Sequence, residues 1–416
     1  MRDTTTPDIG SLIKDETIHS SLYTDRDIFE LECEKIFEGN WVYVAHESEL
    51  PRNGDYLRRT MGTTPILVTK SAKGIHVVVN RCTHRGNLLC PAPRGRQKAF
   101  GCKYHGWVFG PDGELVDIPF PDGSENLDKS KLGLRAARVE SYRGFIFASL
   151  NHDVDDLITY LGNARQALDR ASDLSPVGEI QLSKTWVQHS FKANWKMISE
   201  NEADGYHVNF VHDSFGKAIT PEGKYDNVLK EDEEGIGSVS RYLGNGHTEI
   251  DYEVSYGAPM KWLGVKEDRY PEYTAAMKER YGEQEANTIM RKGPPHTFIF
   301  PNLFLAETCF VVIQPISVNE SINWHTPLYL KGVPDKLNQR ILRQGEPAMG
   351  PSAFLTADDA VIAERQWGAL DGDPGWLDLS RGADREVQKD NGVLQSHYTD
   401  ETSNRGFWHH YKSVFQ

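Results

Sequence analysis

Arg81-Cys82-Thr83-His84-Arg85-Gly86 and, after an insert from Asn87 to Gly101, Cys102-Lys103-Tyr104-His105-Gly106-Trp107 decide how the rest of this chain is read. Each segment offers one thiolate and one imidazole. Together they can hold a [2Fe–2S] cluster with Cys82 and Cys102 on one iron and His84 and His105 on the other. Zinc accepts the same four ligands, but zinc fingers group their cysteines together and their histidines together on one helix, whereas here each cysteine is paired with its own histidine. Gly86 and Gly106 follow the pairs and let two tight loops approach a cluster whose sulfides need backbone N–H donors.

With this ligand pattern the segment resembles Rieske iron–sulfur proteins. The respiratory branch of that family carries two further cysteines that form a disulfide beside the cluster, and those positions here are Asn87 and Tyr104. The resemblance is therefore to the ferredoxin and ring-hydroxylating oxygenase branch, whose clusters sit near the low end of the Rieske range, at about −150 mV. Cys90 is out of register and reads as a small buried hydrophobe.

The chain has 416 residues, and a Rieske site needs little over a hundred, so most of the length must serve another purpose. No apolar run approaches the roughly eighteen residues that span a bilayer. The start, Met1-Arg2-Asp3-Thr4, lacks a signal-like apolar stretch. Two cysteines committed to iron and three scattered ones (Cys33, Cys90, Cys309) give no disulfide framework, so a cytoplasmic location is expected. The net charge of −14 disfavours nucleic acid and anionic membranes as partners. Locally the sign reverses: Arg81, Arg85, Arg94, Arg96, Lys98 and Lys103 crowd the cluster loops, as a receptor for an acidic redox partner or simply as a solvated surface.

Patterning predicts an α+β fold. Residues 1–40 read as a helical lead-in packing on the catalytic domain, with Ile28, Phe29, Leu31, Ile36 and Phe37 at helical spacing and a stop near Gly39-Asn40. Short strands (Trp41–Ala45, Thr64–Thr69, Gly74–Val79, Phe145–Ala148) and a Pro-Asp-Gly turn at 111–113 predict a small antiparallel β domain over 41–153. An amphipathic helix from Asp153 to about Leu174 opens the catalytic domain, 154–416. There a strand over Ile180–Ala193, helix over 194–216, strands between Ser238 and Leu330 and a helix near 335–346 predict an antiparallel sheet covered by helices.

Residues 201–212, Asn-Glu-Ala-Asp-Gly-Tyr-His-Val-Asn-Phe-Val-His, put Asp204, His207 and His212 on one short segment. Asp204 and His207 would share a helix face. His207 and His212 are roughly 140° out of phase at 3.6 residues per turn, so a π-bulge or a break near Phe210 is needed to aim both at one ion. Two imidazoles and one carboxylate form the triad of non-haem Fe(II) oxygenases.

The joint pattern resembles the α subunit of Rieske ring-hydroxylating oxygenases over nearly the whole chain, on the form Glu-Asn-x-x-Asp-x-Tyr-His-x4-His. In that family the carboxylate ligand is the second aspartate of a late Gly-Pro-…-Asp-Asp segment, which implies Asp359, with Asp358 as a helix-start acid. The resemblance further implies that Asp204 links His207 to His105 of a neighbouring copy, that Asn201 and Glu200 line the same region, and that the chain is a trimer with or without a smaller β subunit. Electrons would come from an NAD(P)H-dependent reductase, with or without a ferredoxin, to hydroxylate an aromatic ring with O2. The short spacing before the aspartate looks like the benzoate-type enzymes, hence cis-dihydroxylation of an aromatic carboxylate in aromatic catabolism. A Rieske monooxygenase or demethylase, an electron-transfer iron–sulfur protein and a zinc hydrolase remain as alternatives.

Overall fold

The computed structural model describes residues 8–120, 122–123, 126–219, 237–351 and 353–416, and the chain divides into two compact units. One is Glu32–Leu157; the other joins Met1–Leu31 to Ile158–Gln416. The divisions fall at Leu31/Glu32 and Leu157/Ile158, where the sequence pattern suggested 40/41 and 153/154.

The first division lies within the lead-in helix. Asp25 caps this helix, its carboxylate accepting the N–H of Asp27 and Ile28 at 2.7 and 3.2 Å. Arg26–Glu32 is α-helical and Cys33–Glu38 is wound more widely, as a π-turn ending at Gly39.

In Glu32–Leu157 the strands are all antiparallel. Gly74–Val79, Thr64–Ser71, Asp55–Met61 and Arg94–Arg96 form one sheet, and Arg138–Tyr142, Phe145–Ser149 and Val42–His46 a second. Val42–His46 and Phe145–Ser149 are buried along their whole length, which explains why they read as apolar runs with no alternation. Phe100–Gly101, Val108–Phe109 and Leu115–Asp117 form a third, smaller sheet. The Pro-Asp-Gly turn is present, closed by Gly110 N–H donating to Glu114 at 2.9 Å. Under the loops, Leu67, Val78, Phe100, Trp107 and Phe109 form one core with Cys82, Cys90 and Cys102. Cys90 is held there by Asn80, whose amide bonds both its N–H and its carbonyl at 2.8 Å.

The larger unit is built on a ten-stranded sheet, antiparallel at every pairing. Its spine is Glu320–Leu330, Cys309–Ser317, Leu303–Ala306, His296–Ile299, His247–Asp251 and Val239–Gly244 in spatial order. The strand expected over 180–193 is two, Ile180–Leu182 and Val187–Phe191, both paired with Glu320–Leu330. Leu182 faces Leu328 and Val187 faces His325, so residues 183–186 oppose only Thr326 and Pro327 and bulge out of the ladder. The helix expected from Asp153 to Leu174 is likewise split, into Leu157–Leu161 and Arg165–Asp173, by a tighter turn over Gly162–Ala164.

Helices Trp195–Glu202, Asp335–Met349, Phe354–Gly372 and Thr402–Val414 cover the sheet. Among the described residues none is long and apolar enough to cross a membrane. Trp195 anchors the first of them; it is fully buried, with the rings of Phe300 and Phe407 at 6.3 and 6.2 Å. Truncating such a side chain removes its transfer energy and leaves a cavity. Trp195→Ala should therefore destabilise the protein by about 3–5 kcal/mol, measurable as a lowered denaturation midpoint, while the cluster's visible spectrum is unchanged because that cluster's loops belong to the other unit.

Candidate metal centres

The two Cys-His loops share one hydrogen-bond plan. Cys82 N–H donates to Asn87 and Gly86 N–H returns to Cys82, both at 2.9 Å; Cys102 N–H donates to Trp107 at 2.8 Å and Gly106 N–H returns to Cys102 at 2.9 Å. Each return needs a left-handed residue, and Gly86 and Gly106 have φ of 74° and 75°. Gly106 is required twice over, because a Cβ there would come within 2.7 Å of the Pro119 ring.

The plan separates the two ligand types. Cys82 and Cys102 are buried, while His84 and His105 are exposed with ring centroids 4.5 Å apart. His84 stacks on Trp107 at 4.8 Å and 8°, which fixes its plane. Burial pushes both thiols up. For Cys102 the N–H groups of Tyr104 and His105, the S–H of Cys82 and the Asn87 amide, 3.8 Å away, outweigh it, and its thiol is held below the ordinary range; Cys82 stays above it. Donors of this kind would stabilise the thiolates of a bound cluster. Asn87 and Tyr104 thus have other duties than a disulfide: Tyr104 lies between His105, at 3.8 Å, and the Arg85 guanidinium, at 5.2 Å. The six cationic residues around the loops are all exposed, and Arg96 is paired with Asp55.

The second centre is built from a broken helix. Trp195–Glu202 ends at Ala203, and a single turn, Val208–Val211, is bounded by His207 and His212. The chain thus brings the two imidazoles together by breaking at His212, two residues beyond Phe210, with ordinary α-type bonds between. Their Nε2 atoms lie 3.2 Å apart. Asp359, on the Phe354–Gly372 helix, places Oδ1 at 3.4 Å from His212 Nε2 and 3.8 Å from His207 Nε2. Among the described residues, this trio is the one group of three or more such side chains able to hold an ion together. Asp359 Oδ1 is buried with no hydrogen-bond partner. Separations of this size suit atoms that each sit about 2 Å from a shared ion, so the residues fit a metal.

Each imidazole is backed by an aspartate. Asp204 is not on a helix; it accepts the Tyr206 N–H on Oδ1 and meets His207 Nδ1 with Oδ2 at 3.3 Å. Asp358 brings Oδ2 to 3.7 Å from His212 Nδ1 and accepts the Ser214 hydroxyl at 2.8 Å on the same atom. Asp358 read as a mere helix-start acid; spacing could not show it beside His212. Burial lowers His207, but the bond to Asp204 and the charges of Asp204 and Asp359 raise it overall. Burial and the His207 charge lower His212 to about 4. Burial raises Asp359 to about 6, against the pull of His207 and a hydrogen bond from Asn201.

Asn201 and Glu202 line a cavity beside Asp359, with Phe191, Met349 and Thr356. Glu200, expected in the same region, faces the opposite way. It is bonded by the Tyr23 hydroxyl at 2.7 and 2.9 Å and by the Trp408 indole, and burial raises it to about 7.

Residues 40–142 match the Rieske [2Fe-2S] domain, and residues 172–416 match the ring hydroxylating alpha subunit (catalytic domain). The large subunit of anthranilate 1,2-dioxygenase from Acinetobacter baylyi is 33% identical over 88% of this chain and 80% of its own. Toluate 1,2-dioxygenase subunit alpha from Pseudomonas putida is 31% identical over 88% and 82%. A naphthalene 1,2-dioxygenase structure with indole in its active site superposes with a TM-score of 0.83 at 27% identity, over 97% of this chain and 93% of that one.

Two outcomes follow for the metal trio. Because His207 and Asp359 must shed their protons to bind an ion, affinity for a probe such as Co(II) should fall as the pH drops through about 6, read by calorimetric titration of the iron-free protein. Replacing Asp358 with alanine should weaken Co(II) binding by roughly 10–100-fold without loss of helical content by circular dichroism.

Proposed function

Since this chain belongs to the family of ring-hydroxylating dioxygenase α subunits, we propose that it is the terminal oxygenase for an aromatic carboxylate, which it converts to a cis-dihydrodiol. The family carries a Rieske [2Fe–2S] cluster and a mononuclear non-haem iron. Cys82, Cys102, His84 and His105 would hold the first, and His207, His212 and Asp359 the second. When bound, the cluster supplies electrons singly and the iron supplies the site at which O2 is activated. The observation that carries the reading is the convergence of His207, His212 and Asp359 around an unsatisfied buried carboxylate oxygen in a chain that also has the two Cys-His loops.

The protein's own groups prepare that site. Asp204 holds Nδ1 of His207 and turns Nε2 toward His212 and Asp359. Asn201 bonds the Asp359 carboxyl while Oδ1 stays open toward the two imidazoles. Asp204, partly exposed between Tyr206 and His207, is assigned the link to His105 of a neighbouring copy, which requires an oligomer, α3 or α3β3. Electrons would reach the exposed His84 and His105 from an NAD(P)H-dependent reductase, directly or through a ferredoxin, received by the cationic residues around the loops. A cytoplasmic role in aromatic catabolism accords with these partners.

The carboxylate substrate is supported by the named activities of the relatives, on anthranilate, toluate and 2-halobenzoate. A larger hydrocarbon is the second reading, favoured by 30% identity over 94% of this chain to the large oxygenase component of naphthalene 1,2-dioxygenase from Pseudomonas putida. Oxygen uptake by the reduced holoenzyme over a panel of both classes, with products analysed under 18O2, separates them. A product with two labelled oxygens from an aromatic acid is expected. A single label would make the enzyme a monooxygenase or demethylase, and reduction of the cluster without uptake on any substrate would make the chain an electron carrier. Asp204→Ala should lower turnover by roughly 10–100-fold while reduction of the cluster by dithionite proceeds as in the parent.

A further inference from the structure

The turn that carries Asp204, residues 203–207, is gripped by a corner of the chain formed by residues 381 and 398–403. The Ser403 hydroxyl donates to the Ala203 carbonyl at 2.7 Å. Gly205 lies so close to Tyr398 that a Cβ there would come within 2.5 Å of the Tyr398 carbonyl oxygen. The Arg381 guanidinium lies 4.2 Å over the ring of Tyr206, and just beyond the turn the Asn209 side chain bonds Tyr398. Of these contacts only the one from Arg381 brings a charge.

Arg381 is itself held. Its Nε donates to the Thr399 carbonyl at 2.7 Å and a terminal nitrogen to the Thr399 hydroxyl at 3.2 Å. Its own carbonyl receives the Arg405 guanidinium at 2.9 Å and the Glu401 N–H at 3.1 Å. With its fork so occupied, the planar guanidinium is fixed as a plate on a ring that is otherwise exposed. That ring belongs to the residue whose N–H holds Asp204 Oδ1, next in the chain to His207. If Tyr206 turned, its N–H would move, and with it the carboxylate whose Oδ2 meets His207 Nδ1 at 3.3 Å. The charge serves the same end: Glu401 feels the like charge of Asp204, and Arg405 and Arg381 offset it, so that two carboxylates can stand near each other.

We infer that Arg381 is a positioning residue for the second metal centre: by clamping the Tyr206 ring it keeps the Asp204 carboxylate on Nδ1 of His207, and so keeps Nε2 aimed at the ion. This rests on the reading given above, in which His207, His212 and Asp359 hold the metal. An imidazole whose far nitrogen is fixed by a carboxylate is a more basic and better-aimed ligand.

The test is a double-mutant cycle between Arg381 and Asp204, read by calorimetry as Co(II) affinity of the full chain with its cluster loaded and its mononuclear site empty. Arg381→Met should weaken Co(II) binding by about threefold or more, short of the loss from Asp204→Ala, since it loosens the carboxylate without removing it. In the Asp204→Ala background the same replacement should change the affinity by less than about twofold. Arg381→Lys, which still sets a cation on the ring, should recover part of the affinity. Tyr206→Leu removes the ring and leaves every charge; it should weaken binding as Arg381→Met does, and combining the two should add nothing further. Helical content by circular dichroism equal to the parent's would show that the variants fold. Equal losses from Arg381→Met with and without Asp204, or no loss at all, overturn the assignment while the metal trio stands. Tighter Co(II) binding in both backgrounds also overturns it, because the guanidinium would then act on the ion only as a distant like charge. If the parent binds no Co(II), or binds it unchanged after His207→Ala, the reading on which the assignment rests falls instead.

Discussion

A buried carboxylate oxygen facing two imidazole nitrogens, at 3.4 and 3.8 Å, is the constraint around which the larger unit is arranged. Without a cation the three groups serve one another badly. The two Nε2 atoms lie 3.2 Å apart and can share at most one proton, and Asp359 Oδ1 has no donor. A fold that holds such a set together must over-determine it from outside. Here the work is divided between the helix carrying Asp359 and the segment after Glu202, where the chain gives up regular helix at Ala203 and again at His212 so that residues five apart can point the same way.

That irregular segment is tied to its neighbours along its length, most firmly upstream. Trp195 is enclosed by Phe300, in the turn after strand His296–Ile299, and Phe407 from the last helix. Glu200 receives the Tyr23 hydroxyl from the lead-in and the Trp408 indole from the last helix, so both ends of the chain meet on the back of the ligand-bearing helix. Burial raises Glu200 to about 7, so near neutrality it is poised between the neutral and charged forms, and either form has donors to accept. Removing Tyr23 or Trp408 would leave that carboxyl short of a partner in a dry site, a heavier penalty than the bond itself is worth. The tethering continues past the helix: the Ser403 hydroxyl donates to the Ala203 carbonyl at 2.7 Å and the Arg381 guanidinium lies 4.2 Å over the Tyr206 ring.

What was legible in the sequence depended on how local each signal is. The Cys-His loops are legible because all four ligands and both glycines lie in contiguous motifs whose backbone plan is closed within the loop. The pairing of His207 with His212 was legible as a need for a break, though its position at His212 was not, since no glycine or proline marks it. Asp359 itself came through family resemblance; its distance along the chain leaves no spacing to read. Glu200 and Glu202 show the limit most clearly. Two residues apart, they lie roughly 200° apart on a helix, so one must turn from the cavity. Only Tyr23 and Trp408, far off in sequence, decide which.

The two centres also differ in how they meet their surroundings. At the Cys-His loops the sulfurs are buried against the β core and the imidazoles face outward, so the accessible edge of a bound cluster is its histidine iron. At the second centre the polarity is reversed: His212 is buried, and the outward group is Asp204, partly exposed next to the exposed rings of Tyr206 and Phe210. Asp204, one hydrogen bond from His207 Nδ1, joins that outward surface directly to the trio that would hold the metal. Because its other oxygen is fixed by the Tyr206 N–H, the carboxylate cannot turn toward a visiting imidazole without loosening its own turn. Its open edge is therefore fixed in direction beside the exposed rings of Tyr206 and Phe210.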